Sequence, residues 1–449
     1  MGERDSIIGP EITGMLEEGR FDAVRDFLSV QNPYDIAEFI GELEPPVISR
    51  IVLLLGDPLG PDTFQKLDTE VQVEVLQIMP RPDNAHLIER MDPDERVDLI
   101  KALPEEVAER ILPMLAQAKR NEIAKLVTYE EGTAGSVMTT EYAAVSGDLT
   151  IGGALGELRR IAPDRDTLYN VFVVDNSRQL VGVIPLKDLF VLPSLASVKD
   201  VMKGDVKSVD ATADVEEVVR VAKDYDLVSV PVVDSGGKLL GIVTHDDVVD
   251  VVVKETTEDM YHFGAAGEHL RYLPTNPFRL ARERVVWLIL LAAVGFISGM
   301  IVHRYESMIT TMFALAIFIP VINASGGNAG TQASTVIIRG LATGEVTLSD
   351  SVRIFWKEIV VGLTIGVVVA LVGALRGFVL ENNIRLAVTV GLAMVAVVTF
   401  ATVLGAVLPL AFKKLRLDPA VVSGPFIASV LDVVALIIYL EIARFVLKL

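Results

Sequence analysis

The chain has 449 residues, 40 basic against 60 acidic, and no cysteine. The acidic excess excludes a protein that grips nucleic-acid phosphates, and the missing thiols exclude a disulfide framework and thiolate metal sites. The charge is also split: positions 1–270 hold 25 basic and 51 acidic residues, net −26, whereas positions 271–449 hold 15 and 9, net +6, in an apolar background. The opening stretch MGERDSIIGPEITG lacks the apolar core of a signal peptide, so the first 270 residues are expected to stay in the cytoplasm. A surface at −26 attracts cations; simple solubility is the competing reading.

Residues 39–115 repeat. IGELEPPVISRIVLLL, FQKLDTEVQVEVLQIM and IERMDPDERVDLIKAL align with Leu43, Leu67 and Met91 spaced by 24, and Leu55, Met79 and Leu103 fall 12 later. That period with helical apolar spacing predicts stacked short helix pairs, an all-α superhelical acidic domain over 1–130. Pro and acidic residues at the turns fit helix starts.

A second repeat follows. VFVVDNSRQLVGVIPLKDL (171–189) matches VPVVDSGGKLLGIVTHDDV (230–248), and SVMTTEYAAV (136–145) matches DVMKGDVKSV (200–209). Each unit reads strand, helix, strand, turn, strand, helix. The ending with Gly241, Thr244 and Asp247 closely resembles the CBS domain. The resemblance implies an α/β tandem CBS pair over 131–245 that binds adenine nucleotides or relays a conformational signal. Asp188 occupies the ribose-contacting position of the first copy, which makes ATP a candidate cofactor, whereas Pro185 stands where the family prefers Ser or Thr.

The second copy runs on into HDDVVDVVVKETTEDMYHF (245–263), the start of an acidic linking helix expected over 246–270. As a helix this places Asp247, Asp250, Glu255 and Glu258 within a sector of roughly 140°, with Asp259 beside it. Such a row repels itself unless cations neutralise it. Asp214, Glu216, Glu217, Asp224 and Asp226 add acids from the same module. A solvated acidic helix is the alternative.

Positions 271–449 contain five apolar stretches long enough to span a bilayer, about 285–302, 307–323, 358–380, 385–412 and 419–443. Arg279, Arg282 and Arg284 before the first, Arg339, Arg353 and Lys357 in the second loop, and Lys413, Lys414 and Arg416 in the fourth put the N-terminus inside and the C-terminus outside. Asp432 lies in the middle of the fifth stretch, where an ionised carboxylate costs about 2.5–3.5 kcal/mol and needs water, a cation or a partner. Asp418, 14 residues earlier, is expected on the same helix face roughly 21 Å away, at the cytoplasmic mouth. Asp432 could instead hydrogen-bond a neighbouring helix. NASGGNAGTQAST (323–335) ends the second stretch; Gly326, Gly327 and Gly330 loosen the backbone, and Asn323, Asn328 and Gln332 supply amide oxygens suited to hard cations. An ordinary polar turn outside the bilayer is the other reading.

The order of these parts, with PVINASGGNAGTQ (320–332) and LDPAVVSGPFIASVLD (417–432), resembles the MgtE family of Mg²⁺ channels over essentially the whole chain. The resemblance implies a homodimer in the cell membrane, with one central pore over 271–449 and no enzymatic activity. Asp432 would hold hydrated Mg²⁺, and Asp418, Gly327, Asn328 and Gln332 would line the ion's path. Asp214, Glu216, Asp226, Asp247, Asp250, Glu255, Glu258 and Asp259 would bind regulatory Mg²⁺, with Asp62, Asp94 and Asp98 the candidates in the first domain. High internal Mg²⁺ would close the pore through the linking helix. An ion-coupled divalent-metal transporter regulated by CBS-bound nucleotide is the alternative. An enzyme is the weakest reading, since no H-E-x-x-H, G-x-S-x-G or P-loop is present.

Overall fold

The computed structural model describes residues 12–448 except 13, 17, 162–168, 268–271, 273–274 and 422–423. The chain forms two compact units, Met1–Val252 and Val253–Leu449.

The first unit begins with short helices: α1 (Phe21–Leu28), α2 (Pro33–Ile40), α3 (Pro45–Leu55), α4 (Leu59–Gln65), α5 (Thr69–Ile78), α6 (Arg81–Arg90), α7 (Pro93–Ala102), α8 (Glu105–Ile111) and α9 (Gln117–Leu126). Proline opens α2, α3 and α7, where its missing N–H costs nothing, and the Asn32 side chain caps α2 by accepting from Tyr34 N. Each helix rests on the one two places earlier, so α5 packs on α3, α7 on α5 and α9 on α7. The 24-residue repeat is thus two 12-residue helical steps. Leu67, Met79, Met91 and Leu103 recur because they are the buried residues at the helix junctions.

A second 12-residue period lies inside the stack. Buried Gln72 donates from Nε2 to the carbonyls of Phe64 and Leu67 at 3.0 and 2.9 Å. Buried Asn84 donates from Nδ2 to those of Leu76 and Met79 at 2.9 and 3.4 Å. Arg96, 1% exposed, donates from Nε to Ile88 O at 2.7 Å and from its guanidinium to Met91 O. Each side chain satisfies carbonyls that the preceding helix leaves orphaned at its C-terminus. Arg96 also donates to Glu122 Oε2 at 3.0 Å, and Glu122 accepts from Thr140 of the next module.

That module is the tandem α/β pair: β1 (Ala144–Ser146), α10 (Ile151–Ile161), β2 (Asn170–Val174), β3 (Leu180–Pro185) and α11 (Leu186–Val191), then α12 (Val198–Val201), β4 (Val209–Asp210), α13 (Val215–Asp224), β5 (Ser229–Val233), β6 (Leu239–Thr244) and α14 (His245–Phe263). In both copies the first two strands are parallel and the last two antiparallel. The register Asn170↔Pro185 reappears as Ser229↔Thr244, and the two hairpin turns meet at Gln179↔Lys238. Gly241 lies so near the facing segment that a Cβ would come within 2.6 Å of Thr139 O, so the repeated glycine is a close-approach position. The linking helix α14 covers the run 245–263 but ends at Phe263, short of the expected 270, where a turn follows at Gly264–Ala265.

The second unit holds α15 (Pro277–Arg304), α16 (Glu306–Thr311), α17 (Ala314–Ala342), α18 (Ser351–Glu381), α19 (Ile384–Lys414) and α20 (Gly424–Leu447). α15, α18 with its leading turn, α19 and α20 are long and apolar enough to cross a membrane. α17 has the length, 29 residues, but its central amides dilute its hydropathy. Two expectations need correction here. The stretch 307–323 is not one span: it divides between short α16 and the first third of α17. The run 323–335 is not irregular backbone but lies wholly within α17, which continues through Pro320.

Helical packing explains the glycines. A Cβ on Gly326 would sit 2.8 Å from Val397 of α19, one on Gly327 would meet Ala428 of α20 at 3.4 Å, and one on Gly405 would collide with the Gly330 carbonyl. Between apolar helices in lipid, such close approach is the main source of adhesion. Gly362, Gly366, Gly373 and Gly377 of α18 meet Thr399, Val395, Met394 and Ala387 of α19 in turn, an antiparallel hairpin joined at left-handed Asn382.

Arg96→Ala removes three carbonyl caps and strands Glu122, and is expected to cost about 3–5 kcal/mol, read as a lowered unfolding temperature of the purified chain. Gly405→Ala, which backbone rather than a side chain opposes, is expected to destabilise the detergent-solubilised protein, while Gly156→Ala, with open space at its Cβ, leaves packing unchanged.

Candidate ion pathway and cation-sensing site

In the second unit, Asp432 lies in α20 and is half-buried. One turn earlier Ala428 faces Gly327, so Asp432 lies on a stretch of α20 that packs against α17. No hydrogen bond or ion pair to Asp432 occurs among the described residues. Asn328 and Gln332 are exposed on α17 and, with Ser325, Thr335 and Arg339, form a stripe at steps of three and four. Asn323 Oδ1 is buried without a hydrogen-bond partner. The expected alignment of Asp418 with Asp432 on one helix face fails: a 3₁₀ turn at Pro419–Val421 follows Asp418, and α20 starts only at Gly424. Asp418, exposed, uses Oδ1 to accept from Ala420 N at 2.8 Å. Pro419 inside the apolar stretch was the signal for that break.

The end of α14 belongs to the same unit. Phe263 packs beside Gly424, the first residue of α20, within 3.5 Å of where its Cβ would stand. Burial, then the neighbouring Asp418, hold the Asp259 carboxyl above its ordinary range, with His262 opposing. His262 reaches Glu258 at 3.4 Å. Glu255 is half-buried on the same helix.

The first unit contains a second acidic centre. Asp92, Asp94, Glu141, Asp246 and Asp247 line one cavity of about 70 Å³ with the hydroxyls of Thr139 and Thr244. The start of α7 and the start of α14 supply opposite walls. Thr244 donates from N to Asp247 Oδ2 at 3.1 Å and from Oγ1 to Asp246 Oδ1 at 2.5 Å, fixing both acids. Burial and then Asp247 push the Asp94 carboxyl well above its ordinary range. Burial also raises Asp247, against its bonds from Thr244. Burial raises Glu95 to about 7 although Lys66 pulls it down, with Asp98, Asp92 and Asp247 adding to the rise. These are carboxylates crowded beyond what the protein's own donors offset.

The other expected ligands are placed differently. Asp250 lies on α14 within the field of Lys66. Asp98 is exposed on α7. Asp62 lines a separate 690 Å³ cleft with Asp57, Glu89, Arg90, Arg96 and Lys119, where basic groups already stand among the acids. Asp214 is the N-cap of α13, accepting from Glu216 N at 2.9 Å; Glu216 and Asp226 are exposed at either end of that helix. Asp188 is half-buried in the first turn of α11. Sequence reasoning passed over Asp92, Glu95, Glu141 and Asp246; the dense acids of MDPDERVD were the available signal. Among the described residues no three such side chains converge as a ready-made metal site. Mg²⁺ does not require one, because it keeps several waters and uses one or two carboxylates.

The crowded cavity accepts a hydrated cation on the strength of that donor set. Between the CBS copies, Tyr169, Asn170, Val228, Ser229 and Thr244 line a described cleft of about 40 Å³.

Comparison with known proteins bears on both centres. Residues 319–442 match the model of the MgtE divalent cation transporter family, 31–132 the MgtE intracellular N domain, and 134–193 and 198–254 the CBS domain. The chain is 37% identical to the magnesium transporter MgtE of Thermus thermophilus, across 96% of this chain and 97% of that one. It is 32% identical to the MgtE of Bacillus subtilis, across 96% and 95%. The cytosolic domain of the Mg²⁺ channel MgtE, solved in complex with ATP, superposes with a TM-score of 0.52 at 35% identity, covering 54% of this chain and 99% of that structure. With two such relatives aligned almost end to end, the chain belongs to the MgtE family of divalent cation transporters.

Proposed function

We propose that this protein is a Mg²⁺ channel for uptake, closed by Mg²⁺ at its own cytoplasmic carboxylates. The observation that carries the reading is Asp432: a half-buried carboxylate in an apolar helix, set where glycines draw α17 and α20 together and left without a protein partner among the described residues. Water or a cation is what remains to satisfy it. Mg²⁺ dehydrates reluctantly, so Asp432 holds the ion through its water shell, and the amides of Asn328 and Gln332 bond the same waters.

A homodimer follows from two exposed surfaces. None of the apolar window of α15 is buried within the chain, and the polar stripe of α17 cannot face lipid. A second copy opposite that stripe encloses a wet path between two Asp432 side chains. The N-terminus lies inside and the C-terminus outside. α14 is the gate: its last turns, with Glu255, Glu258 and Asp259, stand beside Asp418 and Gly424 at the inner end.

The sensor is the acidic cavity of the first unit together with α14. Bound Mg²⁺ relieves the repulsion among Asp94, Asp247 and their neighbours and favours the compact arrangement. Taking the gate from mostly open to mostly closed requires about 5.5 kcal/mol of preferential binding, which several weak sites supply together. Asp214, Glu216, Asp226, Asp250, Asp62 and Asp98 contribute weaker sites. ATP at Asp188 is a possible modulator, and no step of gating depends on it.

Asp432→Ala is expected to abolish Mg²⁺ uptake into liposomes with the protein still folded, and wild-type single-channel current is expected to fall as cytoplasmic Mg²⁺ rises from micromolar to tens of millimolar. Uptake at wild-type rate in the mutant refutes the pore assignment, and strict coupling to H⁺ or Na⁺ would favour a transporter instead.

Protons are expected to substitute partly for Mg²⁺. Folding raises Glu95 from 4.5 to about 7, so the compact state holds the extra proton in that window. Its stability relative to the open form is therefore greatest at the acid end and falls as pH rises through 7. In Mg²⁺-free buffer, limited proteolysis is expected to run slower at pH 6.5 than at pH 8, and saturating Mg²⁺ to shrink the difference.

A further inference from the structure

We infer that Lys66 is a tethered cation that competes with the regulatory divalent ion for the α7–α14 carboxylates, and so sets the ion concentration at which the first unit closes. The inference rests on reading that junction as the Mg²⁺ sensor, and adds what determines its set point.

Lys66 ends α4 as its C-cap. Its neighbour Gln65 is locked to the acidic wall, donating from Nε2 to Asp92 Oδ2 at 2.9 Å and accepting from Asp92 N at 3.1 Å. The lysine stem therefore starts from a fixed point beside the cluster. Its Nζ lies 3.7 Å from Glu95 Oε1, and its side chain is 42% exposed, so the ammonium can swing out to water without being pulled from a core. The surrounding charge is strong: burial alone would lower the lysine pKa, yet Glu95, Asp92, Asp246 and Asp250 together hold it above the ordinary value. One ammonium faces Glu95, Asp92, Asp246 and Asp250 and cannot neutralise them. It lowers the repulsion in the ion-free state and repels the divalent ion that arrives.

Those two effects have opposite signs. Without the Lys66 charge the junction binds Mg²⁺ more tightly, and the ion-free junction is looser. A residue with a merely structural role would, when lost, weaken both states together.

The test is limited proteolysis of the full-length protein in detergent, titrated with Mg²⁺ alone, for wild type, Lys66→Gln and Lys66→Arg. In Lys66→Gln the half-protection concentration is expected to fall about three- to tenfold, the scale for removing a unit charge near a divalent ion at a partly screened site. The same variant is expected to be cleaved faster than wild type without Mg²⁺, and Lys66→Arg to keep the wild-type midpoint. An unmoved or raised midpoint in Lys66→Gln, while wild type is protected by Mg²⁺, overturns this inference alone. A wild type that gains no protection overturns the sensor reading and this inference with it.

Discussion

Carboxylates forced into one half-buried space are the constraint on which the soluble unit depends. Asp94 and Asp247 approach across a cavity that Asp92, Asp246 and Glu141 also line. In that setting each ionised group raises the cost of ionising the next, because the local dielectric screens poorly and the donors are few. Three remedies are available: a proton, an ammonium from the protein, or a metal ion from solution. All three have a place at this junction. Glu95 is pushed to about 7, Lys66 reaches in from α4, and the cavity has room for a partly hydrated ion. On the function proposed above, a junction so nearly balanced would respond to a divalent cation, where a fully satisfied one would not.

Balance at one junction is useful only if the parts it joins move as bodies. The ladder of Gln72, Asn84 and Arg96 serves that end. Each side chain ties the start of one helix to the spent carbonyls of the helix before it, every 12 residues, deep in the stack. Leaving such groups unpaired would cost about 1–3 kcal/mol each, so the stack resists bending between helices. Arg96 continues the ladder through Glu122 to Thr140, which carries the stiffness into the CBS pair.

Much of this was legible in the sequence. The 24-residue period announced the helix pairs, the duplicated strand pattern announced the CBS pair, and HDDVVDVVVKETTEDMYHF gave a helix, though one ending at Phe263 rather than 270. What escaped were features set by tertiary neighbours. NASGGNAGTQAST reads as irregular because glycine and asparagine disfavour an isolated helix, but packing against Val397, Ala428 and Leu431 overrides propensity. Asp418 and Asp432 looked like one helix face because the spacing suits one, and the turn at Pro419–Val421 breaks it. Among the acids, Asp94 and Asp247 were candidates from the sequence, whereas Asp92, Asp246 and Glu141 become ligand candidates only once α7 and the CBS pair are seen to share a cavity. Lys66 carries no local signal at all; its meaning comes from Glu95, Asp92, Asp246 and Asp250 around it.

The membrane unit places a different limit on mechanism. With Gly326, Gly327, Gly330 and Gly405 each in close contact, α17, α19 and α20 have no slack in which to slide. Packed interfaces of this kind switch between discrete arrangements rather than deforming by degrees. Gating must therefore act where the unit is loosely held: at the uncovered faces of α15 and α17, and at the inner end, where Phe263 touches Gly424 and Asp259 meets the field of Asp418. That end sets Asp259 and Asp418 in one field, eased in part by His262 and Arg339, so on the function proposed above an ion arriving there changes the fit of α14 directly. Under that proposal, the same cation is cargo at Asp432 and signal at the carboxylates, and the distinction between the two roles lies in what surrounds each acid. Asp432 stands among small and apolar side chains that let an ion pass on, and the junction acids stand opposite one another, where an ion stays.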